Sequence, residues 1–349
     1  MVKGSLAMSD HKELLAQWSL SQGNLRRFLE EVALPPLDAE SQRTAGNAAA
    51  AAAIEETFGI SIEEFATGVD SVGGAFKTAG RQKITQPDPD VPQDTEAAAF
   101  FDIDNTLIQG SSLILLAKGL AKQRFITLRE LLPALTKQIR YRVSGSESAK
   151  DIAKGREQAL QVVKGKNVSQ LKELCAEIVD HQMLDKTYQS TIDAASRHIA
   201  QGQQVWLVSA TPVQIGQALA ERLGFTGALG TVAEEEDGKF TGRLVGDILH
   251  GPGKQHAVAA LAAIQKLDLE KCTAYSDSIN DLPMLSMVGN PIAINPDRAL
   301  RRYATGQGWT IEDYRSLRRY MLPALSALAG GAVAAGVAAG VMALRRRYR

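Results

Sequence analysis

The chain is poor in cysteine and has no excess of charge of either sign. Its 349 residues include only Cys175 and Cys272, which lie far apart, so a disulfide framework is excluded and a reducing compartment is the simpler expectation. The 39 basic and 39 acidic residues balance, so we expect no nucleic acid partner. Residues 1–30 are polar and interrupted by charges, so we expect no secretory signal peptide. None of the five histidines has an acidic or cysteine neighbour at a metal-ligand spacing.

The first 85 residues are predicted to form a helical N-terminal appendage. Apolar residues such as Ile54, Phe58 and Phe65 recur every three or four positions, which is the helical period, and Gly59 and Gly68 are expected to end helices. No pattern in this segment indicates chemistry, so we expect self-association into a homo-oligomer as its role. The proline-rich residues 86–95 are predicted to be a linker.

From residue 96 onwards, the sequence alternates in the manner of an α/β protein. Strands are expected at 97–103, 204–209 and 272–276, and Asp237-Gly238 predicts a hairpin that pairs 231–236 with 239–244. The core is assigned to residues 96–110 and 196–312. Between them, residues 111–195 have a helical and basic pattern and are too long for a crossover, so they are predicted to form an inserted all-helical cap.

The C-terminal segment has a different composition from the rest of the chain. Residues 320–344 carry no charged side chain and are followed by a cluster of arginines. This length exceeds the roughly 20 residues that cross a bilayer, which predicts a transmembrane or membrane-docking helix. The expectation is a cytoplasmic catalytic domain anchored to the cell membrane. A helix docked on the protein itself, or a flexible tail, is the competing interpretation.

An acidic motif follows the apolar run 97–101. Asp102 and Asp104 are two positions apart, and Thr106 adds a hydroxyl two positions later. A strand end is the place where an open α/β sheet forms its ligand crevice. Two negative charges there repel each other unless a cation or a bound electrophile compensates them. The motif therefore points to metal-assisted chemistry on a phosphate.

Three further signals follow in order along the chain: Ser209 at the end of a strand, Lys254 in a Gly-Pro-Gly-Lys sequence, and the run 276–281 with Asp277, Asn280 and Asp281. Two common alternatives are excluded. A calcium-binding EF-hand loop that starts at Asp102 would need a glycine where Leu107 stands, and a phosphate-binding P-loop would need Ser or Thr where Gln255 stands.

Taken in this order, the four motifs resemble those of the haloacid dehalogenase-like superfamily of phosphohydrolases, in the branch similar to phosphoserine phosphatase. The resemblance covers about residues 97–310. It implies a Rossmann-like parallel sheet with a helical cap, and a Mg²⁺-dependent phosphomonoesterase that acts through an aspartyl-phosphate.

The resemblance also implies a role for each motif residue. Asp102 is the expected nucleophile and Asp104 the general acid and base. Asp102, Asp277 and the backbone carbonyl of Asp104 are the expected Mg²⁺ ligands. The expected phosphate-binding residues are Ser209, Lys254 and Asn280. Thr106 and Asp281 are expected to position the residues that contact the phosphate and the metal, without contacting the substrate themselves.

The substrate is where the sequence departs from the branch it resembles. Phosphoserine phosphatases have a glutamate nine residues after the nucleophile that recognises the substrate amine, and here that position is Ser111. Arg156 is the nearest candidate for their carboxylate-binding arginine. We therefore expect a small phosphorylated substrate, either membrane-proximal such as a lipid or glycerol phosphate, or a soluble metabolite. A phosphotransferase with the same intermediate, or an interaction protein with a vestigial phosphatase core, are the alternatives.

Overall fold

A computed structural model of the protein describes residues 39–79, 87–126 and 160–314. The predictions for Arg156 and for the hydrophobic segment 320–344 fall outside these ranges. Within them, no helix is both long enough and apolar enough to cross a membrane.

The described residues contain one mixed sheet of seven strands in the order β4-β3-β2-β1-β5-β6-β7. All neighbours are parallel except β3 and β4, which form an antiparallel hairpin. The strands are β1 (Ala98–Phe101), β2 (Gln204–Pro212), β3 (Gly227–Glu236), β4 (Lys239–Val245), β5 (Thr273–Ser276), β6 (Asn290–Ile294) and β7 (Thr310–Glu312). Asp237 and Gly238 both have positive φ, as the expected hairpin turn requires.

Helices cover both faces of the sheet. They are α1 (Ala39–Phe58), α2 (Ile62–Ala79), α3 (Ser112–Lys122), α4 (Val168–Ile178), α5 (Gln189–Ala200), α6 (Val213–Leu223), α7 (Pro252–Gln265), α8 (Leu282–Ser286) and α9 (Arg298–Gln307). A π-helical turn (Val179–Met183) and a 3-10 turn (Leu184–Lys186) join α4 to α5. The α/β class, the parallel core and the helical character of the described part of the cap are confirmed.

The hydrophobic core has two parts, one on each side of the sheet. Successive side chains of a strand point to opposite faces, so Phe100 belongs to one part and Phe101 to the other. The Phe100 side is covered by α1, α2, α7, α8 and α9, and the Phe101 side mainly by α3, α4, α5 and α6.

The topology places a crevice at the end of β1. This strand pairs in parallel with β2 on one side and with β5 on the other, with Phe101 opposite both Leu207 and Tyr275. The strand order therefore extends from β1 towards β2 on one side and towards β5 on the other. Ligands bind at such a switch point, beyond the carboxyl ends of the strands. The residues after β1, β2 and β5 meet there.

The N-terminal helices differ from their prediction in one respect. Gly59 follows the last residue of α1 and has a left-handed φ of 66°, as expected for a helix end. Gly68, in contrast, lies inside α2, so the prediction that it ends a helix is wrong. The physical reason is packing, because a Cβ at Gly68 would lie 2.1 Å from the carbonyl oxygen of His256 in α7. The domain boundaries remain predictions.

Candidate active site

Asp102 follows β1 directly and continues its pairing with the neighbouring strand. Its backbone N–H donates to the carbonyl oxygen of Tyr275 in β5 at 2.9 Å, and only 6% of the residue is exposed. The uncharged run Ala98–Phe101 before it is fully buried in the sheet. Because this run and the hydrogen bond to Tyr275 fix the backbone, the Asp102 carboxylate is held at the crevice.

Asp104 is held by the first residue of the cap helix. One of its carboxylate oxygens, Oδ1, accepts a hydrogen bond from the Ser112 backbone N–H at 2.8 Å and another from the Ser112 hydroxyl. The intervening turn closes because Asn105 adopts a left-handed φ of 54° and its side chain accepts from the Gly110 N–H at 3.1 Å. The cap therefore begins at the group expected to transfer protons.

Lys254 joins two acidic residues from the segments that follow β1 and β5. Its Nζ lies 2.5 Å from Asp102 Oδ1 and 2.6 Å from Asp281 Oδ2, and only 3% of its side chain is exposed. Ser276 donates its hydroxyl to the same Asp281 oxygen at 2.6 Å. Burial alone lowers the pKa of Lys254, but the charges of Asp102 and Asp281 outweigh it and raise the pKa above its ordinary value. Lys254 is therefore a permanent cation beside the expected nucleophile.

The carboxylates outnumber this one cation. Burial raises the pKa of Asp102 well above its ordinary range, the Lys254 charge opposes the rise, and the charges of Asp281, Asp277 and Asp104 add to it. Burial likewise raises the pKa of Asp277 to about 7, although a hydrogen bond from the Asn105 side chain works against this. Four neighbouring carboxylates with one lysine thus leave negative charge to be compensated.

The donor set at this point fits Mg²⁺. The ion prefers oxygen ligands, keeps several waters and is commonly bound through only one or two carboxylates. Asp102 and Asp277 offer such carboxylates, and the Asp104 carbonyl is the third expected ligand. No cluster of three or more metal-ligating side chains occurs in the described part of the chain, so the fit rests on this smaller set.

The β2 end contributes a pair of hydroxyl groups. Ser209 is buried, and its Oγ accepts from the Thr211 N–H at 3.3 Å and from the Thr211 hydroxyl at 3.0 Å. A hydroxyl that accepts in this way keeps its own proton available for a further acceptor. The sequence analysis did not predict a role for Thr211. Its position two residues after Ser209 is the only local pattern that could have indicated one.

The remaining predicted residues are placed less centrally. Asn280 is exposed. Thr106 is fully buried and its carbonyl accepts from Thr191, while its own hydroxyl has no partner in the described structure. Ser111, 7% exposed, precedes α3, and its hydroxyl also has no partner among the described residues.

Several supporting residues were missed by the sequence analysis. Asp297 fixes the segment after β5, because its N–H donates to the Asp277 carbonyl at 2.7 Å and its Oδ2 accepts from the Ile279 N–H at 2.9 Å. Ser112, Ser276 and Asn105 each hydrogen-bond an acidic residue of the site. Only Asn105 and Ser276 lie inside recognised motifs, whereas the sequence holds no local signal for the other two.

The family of the chain follows from comparison with known proteins. Residues 99–286, just over half of the chain, match the family model for haloacid dehalogenase-like hydrolases. Phosphoserine phosphatase SerB1 of Mycobacterium tuberculosis is 50% identical over 259 residues, which cover 74% of this chain and 83% of the relative. A probable phosphatase of the same organism is 35% identical over 266 residues, covering 74% of this chain and 91% of the relative.

A solved structure shares the fold. It is a protein of unknown function from Bordetella pertussis, which is 28% identical and has a TM-score of 0.56, covering 63% of this chain and 99% of its own. Residues 99–286, which the family model matches, contain all four motifs. The chain belongs to the haloacid dehalogenase-like hydrolase family, as a phosphatase of the phosphoserine-phosphatase-like branch.

Proposed function

We propose that the protein hydrolyses small phosphate monoesters through an aspartyl-phosphate formed on Asp102. The observation that carries the proposal is the Lys254 bridge between Asp102 and Asp281, at 2.5 and 2.6 Å. It holds one Asp102 oxygen and places a positive charge where a phosphoryl group would gather negative charge.

Each step has a candidate residue in the crevice. Asp102 attacks phosphorus, and the bond from phosphorus to the leaving oxygen breaks. Asp104, oriented by Ser112, gives the leaving oxygen its proton and then takes a proton from the water that attacks the phosphoaspartate. The bond between phosphorus and the Asp102 oxygen breaks in this second step, which releases phosphate and restores the Asp102 carboxylate. Ser209 and Lys254 bind the phosphoryl oxygens. Mg²⁺, held by Asp102, Asp277 and the Asp104 carbonyl, would neutralise charge on the phosphate.

The test is Mg²⁺-dependent release of phosphate from an aryl phosphate. Asp102→Asn should reduce the rate to the uncatalysed background, because an amide is a poor nucleophile. Asp237→Asn is a matched control, since Asp237 is an exposed residue of the hairpin turn. Wild-type turnover by the Asp102 variant would overturn the proposal. Absence of turnover by the wild-type protein across a broad phosphate-ester panel would favour a vestigial core.

The substrate proposal rests on Ser111. Its hydroxyl is buried, has no partner in the described structure and stands next to Ser112, which binds Asp104. A buried hydroxyl without a partner costs about 1–3 kcal/mol, which a hydrogen bond to the leaving group would recover. A hydroxyl suits a neutral polar leaving group such as that of glycerol phosphate, whereas the name of the 50% identical relative favours phosphoserine.

A substrate panel separates these classes. Glycerol phosphate should be hydrolysed with a higher kcat/KM than phosphoserine. Ser111→Ala should lower kcat/KM for glycerol phosphate more than for ethyl phosphate, because the ethyl group has no free hydroxyl for Ser111 to bind. A marked preference for phosphoserine would contradict this proposal. Product analysis with added alcohol acceptors tests the phosphotransferase alternative.

Two proposals concern attachment. Residues 320–344 would anchor the catalytic domain to the membrane, which carbonate extraction of full-length and truncated chains tests; if both remain soluble, the anchor is excluded. Two copies of the chain would associate through the N-terminal helices. Sedimentation analysis should then show a dimer, and a monomer at all concentrations would exclude this association.

A further inference from the structure

Helix α2 touches the backbone of the helix that carries Lys254. A Cβ at Gly68 would lie 2.1 Å from the His256 carbonyl oxygen and 3.3 Å from the Ala257 nitrogen. A glycine inside a helix costs roughly 0.5–1 kcal/mol relative to alanine. The close approach of α2 to the first turns of α7 gives a physical reason for this glycine.

The N-terminal helices contact both residues that follow Lys254. The Gln255 side chain donates to the carbonyl oxygen of Phe58, the last residue of α1, at 3.1 Å. The His256 ring lies between two acidic groups, with Nε2 at 3.7 Å from Glu64 of α2 and Nδ1 at 3.5 Å from Asp247. Contacts with α1, α2 and Asp247 therefore hold the start of α7 in place.

Helix α2 also holds the loop that leads into α7. Ser71, which is buried, accepts a hydrogen bond from the Asp247 N–H at 2.9 Å and donates its own proton to the Thr67 carbonyl at 3.0 Å. Gly246 packs on the same serine, since a Cβ there would lie 2.2 Å from Ser71 Oγ. The entry to the loop is thus attached to α2.

The same loop is linked to the phosphate-binding strand end. The Leu249 N–H donates to Thr231 Oγ1 at 3.4 Å, and the Thr231 hydroxyl donates to the carbonyl of Ala210, next to Ser209, at 2.8 Å. Movement of the loop would therefore change the position of Lys254 relative to both Asp102 and Ser209.

We propose that α2 is a positioning element for Lys254, acting through Gly68 on α7 and through Ser71 on the 246–251 loop. The Lys254 side chain is long and flexible, so the two short contacts of its Nζ depend on where the backbone of α7 begins. Misplacement of a reacting or binding group by about 1 Å can reduce turnover about 100-fold. The importance of Lys254 for turnover rests on the proposed function, whereas its placement by α2 does not.

The direct test observes the Lys254 ammonium group by NMR in protein labelled with ¹⁵N-lysine. Its burial between two carboxylates should protect its signal from solvent exchange, and the signal is assigned by its loss in Lys254→Met. Ser71→Ala should shift or broaden this signal and leave the other lysine signals in place. Alanine is a better helix former than serine, so this variant is expected to fold.

Gly68→Ala is the second variant and Gly46→Ala the matched control. An added Cβ at Gly46 in α1 meets nothing within 4 Å, so the Lys254 signal should not change there. An unchanged Lys254 signal in both folded variants, Ser71→Ala and Gly68→Ala, would overturn the inference.

Turnover separates this inference from the proposed function. Ser71→Ala should lower kcat for an aryl phosphate about 10- to 100-fold at temperatures where the protein is fully folded, and should have no further effect in the Lys254→Met background. Equal losses in both backgrounds would contradict positioning through Lys254. If the wild-type protein shows no turnover while the NMR signal shifts as expected, the proposed function is wrong and the positioning role stands.

Discussion

At the scale of single residues, the imbalance of charge around Asp102 determines how the site behaves. Lys254 compensates part of the negative charge of Asp102, Asp104, Asp277 and Asp281. Burial raises the pKa of Asp277 to about 7, and the charges of Asp281 and Asp104 add to the rise. Such a set of buried acids favours either protons or a divalent cation. Without metal, these groups influence the stability of the fold; in the proposed mechanism, the same groups would hold Mg²⁺ and bind the phosphate.

Replacement of Lys254 tests the value of the buried cation. Lys254→Met leaves Asp102 and Asp281 without their ionic partner, and loss of one member of a buried pair typically destabilises a protein by about 3–5 kcal/mol. Proton uptake by a carboxylate offsets part of this loss, so the variant should be less destabilised at pH 5 than at pH 8. Urea unfolding at both pH values measures it. Equal destabilisation at the two pH values would contradict the ion pair.

Asp277 gives a pH dependence with a defined sign. Its pKa is about 7 in the fold and 3.8 as the ordinary value, so the folded state holds more protons between these pH values. Stability from this group therefore falls as pH rises from about 4 to 7 and is constant above that range. In EDTA, Asp277→Asn should remove this fall in urea-unfolding curves. The control Asp237→Asn should keep the wild-type change of unfolding free energy with pH. If Asp277→Asn kept it as well, the pH dependence would not come from Asp277.

At the scale of elements, the α1–α2 pair is part of the core of the sheet. Phe58 and Phe65 stack at a centroid distance of 5.6 Å, and Phe65 is only 2% exposed. The side chains of α1 and α2 belong to the same cluster as Phe100 of β1 and Trp206 of β2. The stability of these helices is therefore coupled to that of β1, the strand that Asp102 follows directly.

Truncation of Phe65 tests this coupling. Phe65→Ala should lower the free energy of unfolding by about 3–5 kcal/mol, because it removes a fully packed aromatic ring. Leu113→Ala, at a residue 40% exposed, is the control and should change it by less than about 0.5 kcal/mol. A small effect of Phe65→Ala in denaturant unfolding would indicate an independent appendage.

The elements differ in how well the sequence predicts them. The buried run before Asp102, the second strand and the Asp237-Gly238 hairpin are predictable, because apolar patterning and turn residues determine them locally. Strands β6 and β7 were not predicted, since β7 has only three residues and β6 contains Pro291, a residue that disfavours a strand assignment. Gly68 was misassigned because its role depends on a helix almost 190 residues away, which no local pattern records.

At the scale of the whole molecule, the fold brings four separate segments to one crevice. The segments after β1, β2 and β5 meet because those strands are adjacent and parallel, and α7 adds Lys254 from one face. The order of motifs predicted this meeting. The hydrogen bonds of Ser112 and Asp297 could not be predicted, because they depend on the exact course of the cap and of the segment before α9.

The proposed mechanism depends on phosphorylation of Asp102. The most direct measurement is acid quenching of Asp104→Asn during turnover of an aryl phosphate, followed by peptide mass spectrometry. Loss of the Asp104 base should slow hydrolysis of the intermediate, while an aryl leaving group needs little protonation. A phosphoryl group is expected on the peptide that contains Asp102. Continued phosphate release with no phosphoryl group on that peptide would contradict it.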